Sequence, residues 1–426
     1  MSLEIYLDSI SDEHREMLTK ELTLDVSIGK KQYKSFHPIQ PKIISVFDVD
    51  KTNAYIPLAY GKSKQLEPIK RTYKKIEVPF VGSLRDEQKV VKAEAISLLN
   101  KHNATIISCY PGFGKTMTAI YIASKIKYQT LIIINLLVLK NQWIEAINKV
   151  CPTATVCFVQ PSSKCNDLEA DFLIINAINI PKFGREAFKE IGTVIVDEVH
   201  LIMSEVLSQS LFYVSPKYLI GLSATPYRQD GMDALLALFF TEHRIVRNMY
   251  RKHQVYKITT KIVPEVEYDR NGTVNWNSVI NSVSNNVDRN NKIVDILCKF
   301  GDRNFLVLCK RTSQAKYIYE KLCSLGENCG LYIELSNSFD KSVRILIGTI
   351  KKVGVGFDFP KLDALLAATD LESYFIQYLG RIFRSPEGID PIVFDFLDDN
   401  TILKKHYKTR EKVYKETGGN IIEYKL

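Results

Sequence analysis

Cys109-Tyr110-Pro111-Gly112-Phe113-Gly114-Lys115-Thr116 is the stretch from which the rest of the chain is read. The apolar run Thr105 to Cys109 leads into it and reads as a buried strand, and Met117 to Ala123 leads out of it as the opening of a helix. Strand, glycine-bearing turn and helix, in that order, is the setting of a phosphate-binding loop. Gly112 and Gly114 let the backbone turn its N–H groups inward, with Pro111 and Phe113 completing the loop. Lys115 is placed to reach the outer phosphates, and the Thr116 hydroxyl suits Mg²⁺, so ATP with Mg²⁺ is the expected cofactor. The pattern G-x-x-x-x-G-K-[ST] is incomplete, because Cys109 occupies its first glycine position.

Outward from this loop, apolar runs alternate with helical stretches. Thr105 to Cys109, Leu131 to Ile134, Thr155 to Val159, Phe172 to Ile175, Thr193 to Val196 and Tyr218 to Leu222 are rich in Ile and Val, as strands covered on both faces require. A second series begins near residue 304: Asn304 to Cys309, Leu331 to Ile333, Arg344 to Ile347, Ala364 to Ala368 and Ile392 to Phe394. The expected fold is α/β, with two tandem parallel-sheet domains and a small strand-rich N-terminal appendage. The expected divisions are an accessory part over 1–80, a nucleotide-binding domain over 81–240, a polar connector and insertion over 241–300, and a second α/β domain over 301–426.

Bulk properties bound the class. A chain of 426 residues exceeds what one core supports, and 46% apolar content fits a soluble globular protein. No apolar run reaches the roughly 18 residues that span a bilayer, and the acidic N-terminal stretch does not resemble a secretory signal, so an intracellular, soluble protein with no membrane partner is expected. The eight cysteines form no C-x-x-C and read as reduced thiols, mostly buried. A net charge of +9 is compatible with a polyanionic partner. Within Gly61 to Lys75, six cations face only Glu67, a run that a solvated linker explains as well as a nucleic-acid contact.

Further constellations carry chemistry. The strand Thr193 to Val196 ends in Asp197-Glu198-Val199-His200, an acidic pair where ligands bind in open α/β sheets. Asp197 is suited to holding Mg²⁺ through water, Glu198 to activating the attacking water, and His200 to passing on the nucleotide state. Ser223-Ala224-Thr225-Pro226 ends another strand, and its hydroxyls Ser223 and Thr225 are candidates for coupling hydrolysis to domain movement. In the second series, Gln377-Tyr378-Leu379-Gly380-Arg381-Ile382-Phe383-Arg384 places Arg381 and Arg384 three apart on one expected helix, suited to stabilising a transferring phosphoryl group. Gln377 is read as a coupling residue, and Gly356 and Asp358 in the Gly354-to-Pro360 loop as nucleotide contacts. Gln88, with a donor and an acceptor, is suited to reading an adenine edge.

Together these residues resemble the motif series of superfamily 2 helicases over about residues 84 to 395. Within that superfamily Leu84-Arg85-x-x-Gln88, Asn141-Gln142-Trp143 and the segment Ser223 to Gly231 are most similar to the XPB, UvsW and poxvirus transcript-release group. Gln229 replaces the acid of the Arg-Glu-Asp element found there, and Trp143 reads as a core aromatic. The resemblance implies two RecA-like domains that close on ATP and a nucleic-acid strand held mainly by its phosphates. DNA is the expected partner, single-stranded, duplex or branched, with transcription or replication machinery as further partners and a virion or viral replication site as the setting. The alternatives are an ATP-gated clamp or transcript-release factor without processive unwinding, and action on RNA. A metabolic P-loop kinase would leave Arg381, Arg384 and the second unit without a role.

Overall fold

The computed structural model describes residues 1–25, 43–162, 167–202, 209–224, 233–270, 272–334, 336, 338–354, 357, 359–371, 375–384 and 388–425. Two units are distinguished, Met1–Cys109 with Phe113–Arg247 and Tyr110–Gly112 with Asn248–Leu426.

In the first unit the short strands β1 (Ser2–Tyr6), β2 (Thr23–Asp25), β3 (Ile43–Ser45), β4 (Asp48–Val49) and β5 (Asn53–Pro57) make two antiparallel sheets, β1-β5-β4 and β2-β3. They are followed by β6 (Ala104–Cys109), β7 (Thr130–Ile134), β8 (Val156–Val159), β9 (Phe172–Asn176), β10 (Thr193–Val196), β11 (Tyr218–Ser223) and β12 (Arg244–Arg247). These form a seven-stranded parallel sheet in the order β12-β6-β11-β10-β7-β9-β8. Its central strands are buried at every position, which is why they read as unbroken Ile/Val runs rather than alternating ones. Leu3, Ile5 and Ile56 of the N-terminal strands share one hydrophobic core with Ile106, Leu131 and Val194 of this sheet.

Gly61 to Lys75 is a strap laid on the first unit. Ile69 N–H donates to the Glu4 carbonyl at 2.8 Å, Lys74 N–H to Glu190 at 2.9 Å, and Gln129 N–H returns to the Lys74 carbonyl at 2.9 Å. Lys64 Nζ lies 2.7 Å from Glu21, Arg71 clasps Glu4, and Lys74 pairs with Glu169.

The second unit holds β13 (His253–Thr259), β14 (Phe305–Cys309), β15 (Cys329–Tyr332), β16 (Ile345–Thr349), β17 (Ala364–Ala367), β18 (Ile392–Leu397) and β19 (Gly419–Glu423), all parallel, in the order β15-β16-β14-β17-β18-β13-β19. The expected two-sheet α/β fold with a strand-rich N-terminal part is thus the observed one. Every strand expected from an apolar run is present. β12, β13 and β19 were not expected: β13 carries His253, Gln254 and Lys257 among its apolar residues and lacks a continuous run. Residues 241–300 hold β12, β13 and the helices Trp276–Asn285 and Val287–Lys299. Asn275 and Asn286 are the N-caps of those helices, which also carry most of the asparagines between Asn281 and Asn291. Among the described cysteines, Cys109, Cys151 and Cys309 are buried; Cys323 is exposed, its sulfur 3.6 Å from that of Cys329.

A buried ionic network braces the second unit. Arg410, 3% exposed on the helix Thr401–Glu416, donates from Nε to Asp395 at 2.8 Å, from Nη1 to Asp370 at 2.7 Å and to the Leu371 carbonyl at 3.3 Å. Burial pushes the Asp370 carboxyl up, but His406 at 2.6 Å and Arg410 outweigh it and hold it below the usual aspartate range. Such a group stabilises the fold above its unfolded pKa, and that contribution is lost as pH falls through the lower folded value. Arg410→Ala is expected to cost about 3–5 kcal/mol by leaving buried carboxylates unpaired. Denaturant unfolding checks this, and unfolding measured as pH is lowered below about 4 should show wild-type stability falling towards that of the variant.

Candidate active site

The phosphate loop joins the end of β6 to the helix Lys115–Ile126. Cys109 is the last residue of β6 and fully buried, so the first position of the motif is a strand residue. The positions that need the left-handed region are Gly112 at φ 90° and Gly114 at φ 91°, both glycine, which is why cysteine is tolerated where it stands. The helix Lys115–Ile126 follows, and Thr116 lies in its first turn. Lys115 Nζ donates to the Cys109 carbonyl at 2.8 Å across the mouth of the loop.

Gln88, 5% exposed, accepts from Arg85 N–H at 2.9 Å and donates from Nε2 to the carbonyls of Phe113 at 3.0 Å and Gly114 at 3.4 Å. Arg85 also donates to the Phe113 carbonyl. The helix Asp86–His102 therefore begins with a capping box whose glutamine reaches onward to the phosphate loop.

The acidic pair sits at the carboxyl end of β10. Asp197 is 8% exposed; its N–H donates to the Ile133 carbonyl at 2.9 Å, extending the β7–β10 ladder by one residue. Glu198 then turns the chain at φ 45°, a conformation costing about 1–2 kcal/mol for a residue with a side chain, and the helix Val199–Ile202 begins. That turn brings Glu198 Oε2 within 3.4 Å of His200 Nδ1, which is also 3.0 Å from Ser223 Oγ at the end of β11. Burial, reinforced by Glu198, pushes the Asp197 carboxyl up to about 6, while Trp143 and Lys115 pull the other way. Trp143, 1% exposed, donates from Nε1 to Asp197 Oδ2 at 2.8 Å. The sequence reading gave this tryptophan only a packing role; its signal was an N–H donor on the helix that follows β7, the strand beside β10.

In the second unit, Gln377 is buried on the helix Phe375–Ile382. Arg381 donates to the carbonyls of Phe357 and, at 3.1 Å, Gly354. The helix ends at Ile382, so Arg384 lies in the turn beyond it rather than on the expected single helix. Thr225, Gly356, Asp358 and the segment from Tyr227 to Gly231 lie outside the described residues.

A glycine-bearing strand-to-helix turn, an acidic pair at the next-but-one strand and a His–Ser contact beside it thus lie on a parallel α/β sheet of RecA-like class. Residues 61–228 match the family model described as type III restriction enzyme, res subunit. The chain is 43% identical over 399 residues to a putative helicase of Invertebrate iridescent virus 6, covering 88% of this chain and 90% of that protein. A putative ATP-dependent RNA helicase of Acanthamoeba polyphaga mimivirus is 28% identical over 395 residues, covering 87% and 76%. The solved structure of S. cerevisiae Dbp5 bound to RNA and ADP BeF3 superposes with a TM-score of 0.55 at 14% identity, covering 78% of this chain and 89% of that one. The chain belongs to the superfamily 2 helicases, alongside those of large DNA viruses.

The donors present suit a Mg²⁺–nucleotide. Thr116 and Asp197 offer hard oxygens of the kind Mg²⁺ takes. Mg²⁺ commonly takes one or two protein oxygens and completes its shell with nucleotide phosphates and water, which this donor set would suit.

A Cβ at Gly114 would sit against Gln88 Nε2, far inside contact distance, on backbone at φ 91°. Gly114→Ala is therefore expected to weaken ATP binding roughly tenfold, from about 1–2 kcal/mol of backbone strain plus displacement of Gln88. Calorimetry with ADP and Mg²⁺ checks it, circular dichroism confirming that the variant is folded.

Proposed function

We propose that this helicase is a DNA-dependent ATPase that moves along DNA and unwinds or remodels it. The observation that carries the enzymatic part is the meeting of Asp197, Glu198, His200 and Ser223 at adjacent strand ends of the unit that bears the phosphate loop. Lys115 and the loop N–H groups bind phosphate, with Pro111, Gly112, Phe113 and Gly114 shaping the cradle. Thr116 and Asp197 hold Mg²⁺, which when bound neutralises phosphate charge. Glu198 orients and deprotonates the attacking water, held in reach by its left-handed turn and by His200. Gln88 is assigned to the adenine edge and also steadies the loop it already touches. Arg381 and Arg384 are assigned to the charge of the transferring phosphoryl group, Gly356 and Asp358 to contacting the nucleotide, and Gln377 to relaying its state. His200, Ser223 and Thr225 form the relay from the acidic pair. Residues 1–80 are assigned an accessory role in substrate choice.

DNA is favoured by the likeness of Leu84-Arg85-x-x-Gln88 and of the segment Ser223 to Gly231 to the XPB and UvsW group. Action on RNA is a second reading, motivated by the RNA-helicase name of the mimivirus relative. ATPase rates titrated with single-stranded, duplex and branched DNA and with RNA, at one salt concentration, separate the two. Greater stimulation by DNA is expected; stimulation by RNA alone would overturn the assignment. Glu198→Gln is expected to lower the stimulated kcat about 100-fold or more, and Lys115→Ala to abolish it. Wild-type rates in either variant would sink the site assignment. Strand-displacement assays with ATP distinguish a motor from a clamp, since a clamp displaces nothing.

A further inference from the structure

Trp143 lies on the helix Val138–Val150, behind the carboxylate assigned to Mg²⁺. The indole is 1% exposed, and its ring N–H, a donor only, ends on Asp197 Oδ2 at 2.8 Å. The other oxygen, Oδ1, accepts Glu198 N–H at 3.0 Å. One donor on each oxygen fixes the plane of the carboxylate, while the Asp197 N–H, bonded to Ile133, fixes the backbone beneath it. Each carboxylate oxygen keeps a lone pair for water or a cation. Packing alone does not require this arrangement: phenylalanine would fill much of the same space but leave Oδ2 without its donor. The other tryptophan provides the contrast, for the buried Trp276 Nε1 has no hydrogen-bond partner among the described residues.

We infer that Trp143 is a positioning residue for ATP hydrolysis: its indole N–H aims the Asp197 carboxylate so that Mg²⁺ and its water shell are received in one orientation. This rests on Asp197 being the metal-holding carboxylate. Groups one hydrogen bond behind a metal ligand typically tune metal affinity by an order of magnitude or more.

The test uses the full chain with Mg²⁺ and ADP, where binding is read without turnover. Trp143→Phe is expected to raise the Mg²⁺ concentration that half-saturates ADP binding roughly tenfold, with nucleotide binding in the absence of Mg²⁺ unchanged. A merely structural loss would weaken binding with and without the metal alike. In the ¹⁵N-labelled wild type, two indole N–H signals are expected, from Trp143 and Trp276. That of Trp143 should lie downfield of the other and move on Asp197→Asn and on Mg²⁺–ADP binding. A Trp143 signal indifferent to Asp197→Asn overturns the inference even where Trp143→Phe does not fold. Should Asp197→Asn leave Mg²⁺ half-saturation unchanged, the metal assignment itself fails. Should Asp197→Asn shift it and Trp143→Phe not, only the positioning role fails.

Discussion

Two carboxylates side by side at the dry end of a parallel strand are the constraint on which the first unit turns. Asp197 and Glu198 repel each other, and burial penalises the charge on Asp197. The surroundings answer with two donors to Asp197, an indole from the helix after β7 and a backbone N–H, and with a histidine ring that lies 3.4 Å from Glu198 and reaches the end of β11. Two of these contacts depend on strand order: β10 must lie between β7 and β11 for Trp143 to reach Asp197 and for Ser223 to reach His200. The neighbouring β6 then carries the phosphate loop one strand further on.

The second unit meets a comparable problem with arginine. Arg289, 1% exposed, bonds both oxygens of Asp398 at 3.0 and 3.1 Å and the Ala368 carbonyl at 2.6 Å, while Arg410 joins Asp370, Asp395 and Leu371. Both arginines therefore grip the chain just after β17, the segment leading towards the helix Phe375–Ile382 that bears Arg381. Planar guanidinium forks suit this work, because each can hold a carboxylate and a carbonyl together. Burial of these pairs gives the lead-in a single geometry at a desolvation cost that the hydrogen bonds offset.

What could be read from sequence follows from what burial does to composition. Strands covered on both faces must be apolar throughout, so β6, β7, β10 and β14 announce themselves. β13, half-polar and flanked by β18 and β19, does not. The phosphate loop and the acidic pair were legible because their chemistry restricts residue type at fixed spacing. Trp143 was not, since a tryptophan that packs and one that donates look alike until the acceptor is seen, and Asp197 lies far along the chain. The break in the phosphate-loop pattern was legible as a break and, through the family resemblance, as a tolerated one, and Cys109 already read as the end of a strand. The backbone adds the reason: the left-handed positions are Gly112 and Gly114.

The strap from Gly61 to Lys75 bears on how the protein's charge is to be counted. Its basic run looks in the sequence like a surface for polyanions, yet Lys64, Arg71 and Lys74 already lie against Glu21, Glu4 and Glu169. A cation neutralised within its own fold brings little to the displacement of ions condensed on a phosphate backbone. The dependence of nucleic-acid affinity on salt therefore counts a smaller set of cations than the strap's composition suggests. In the strap, part of that charge acts as a fastener, holding the N-terminal strands to the first sheet.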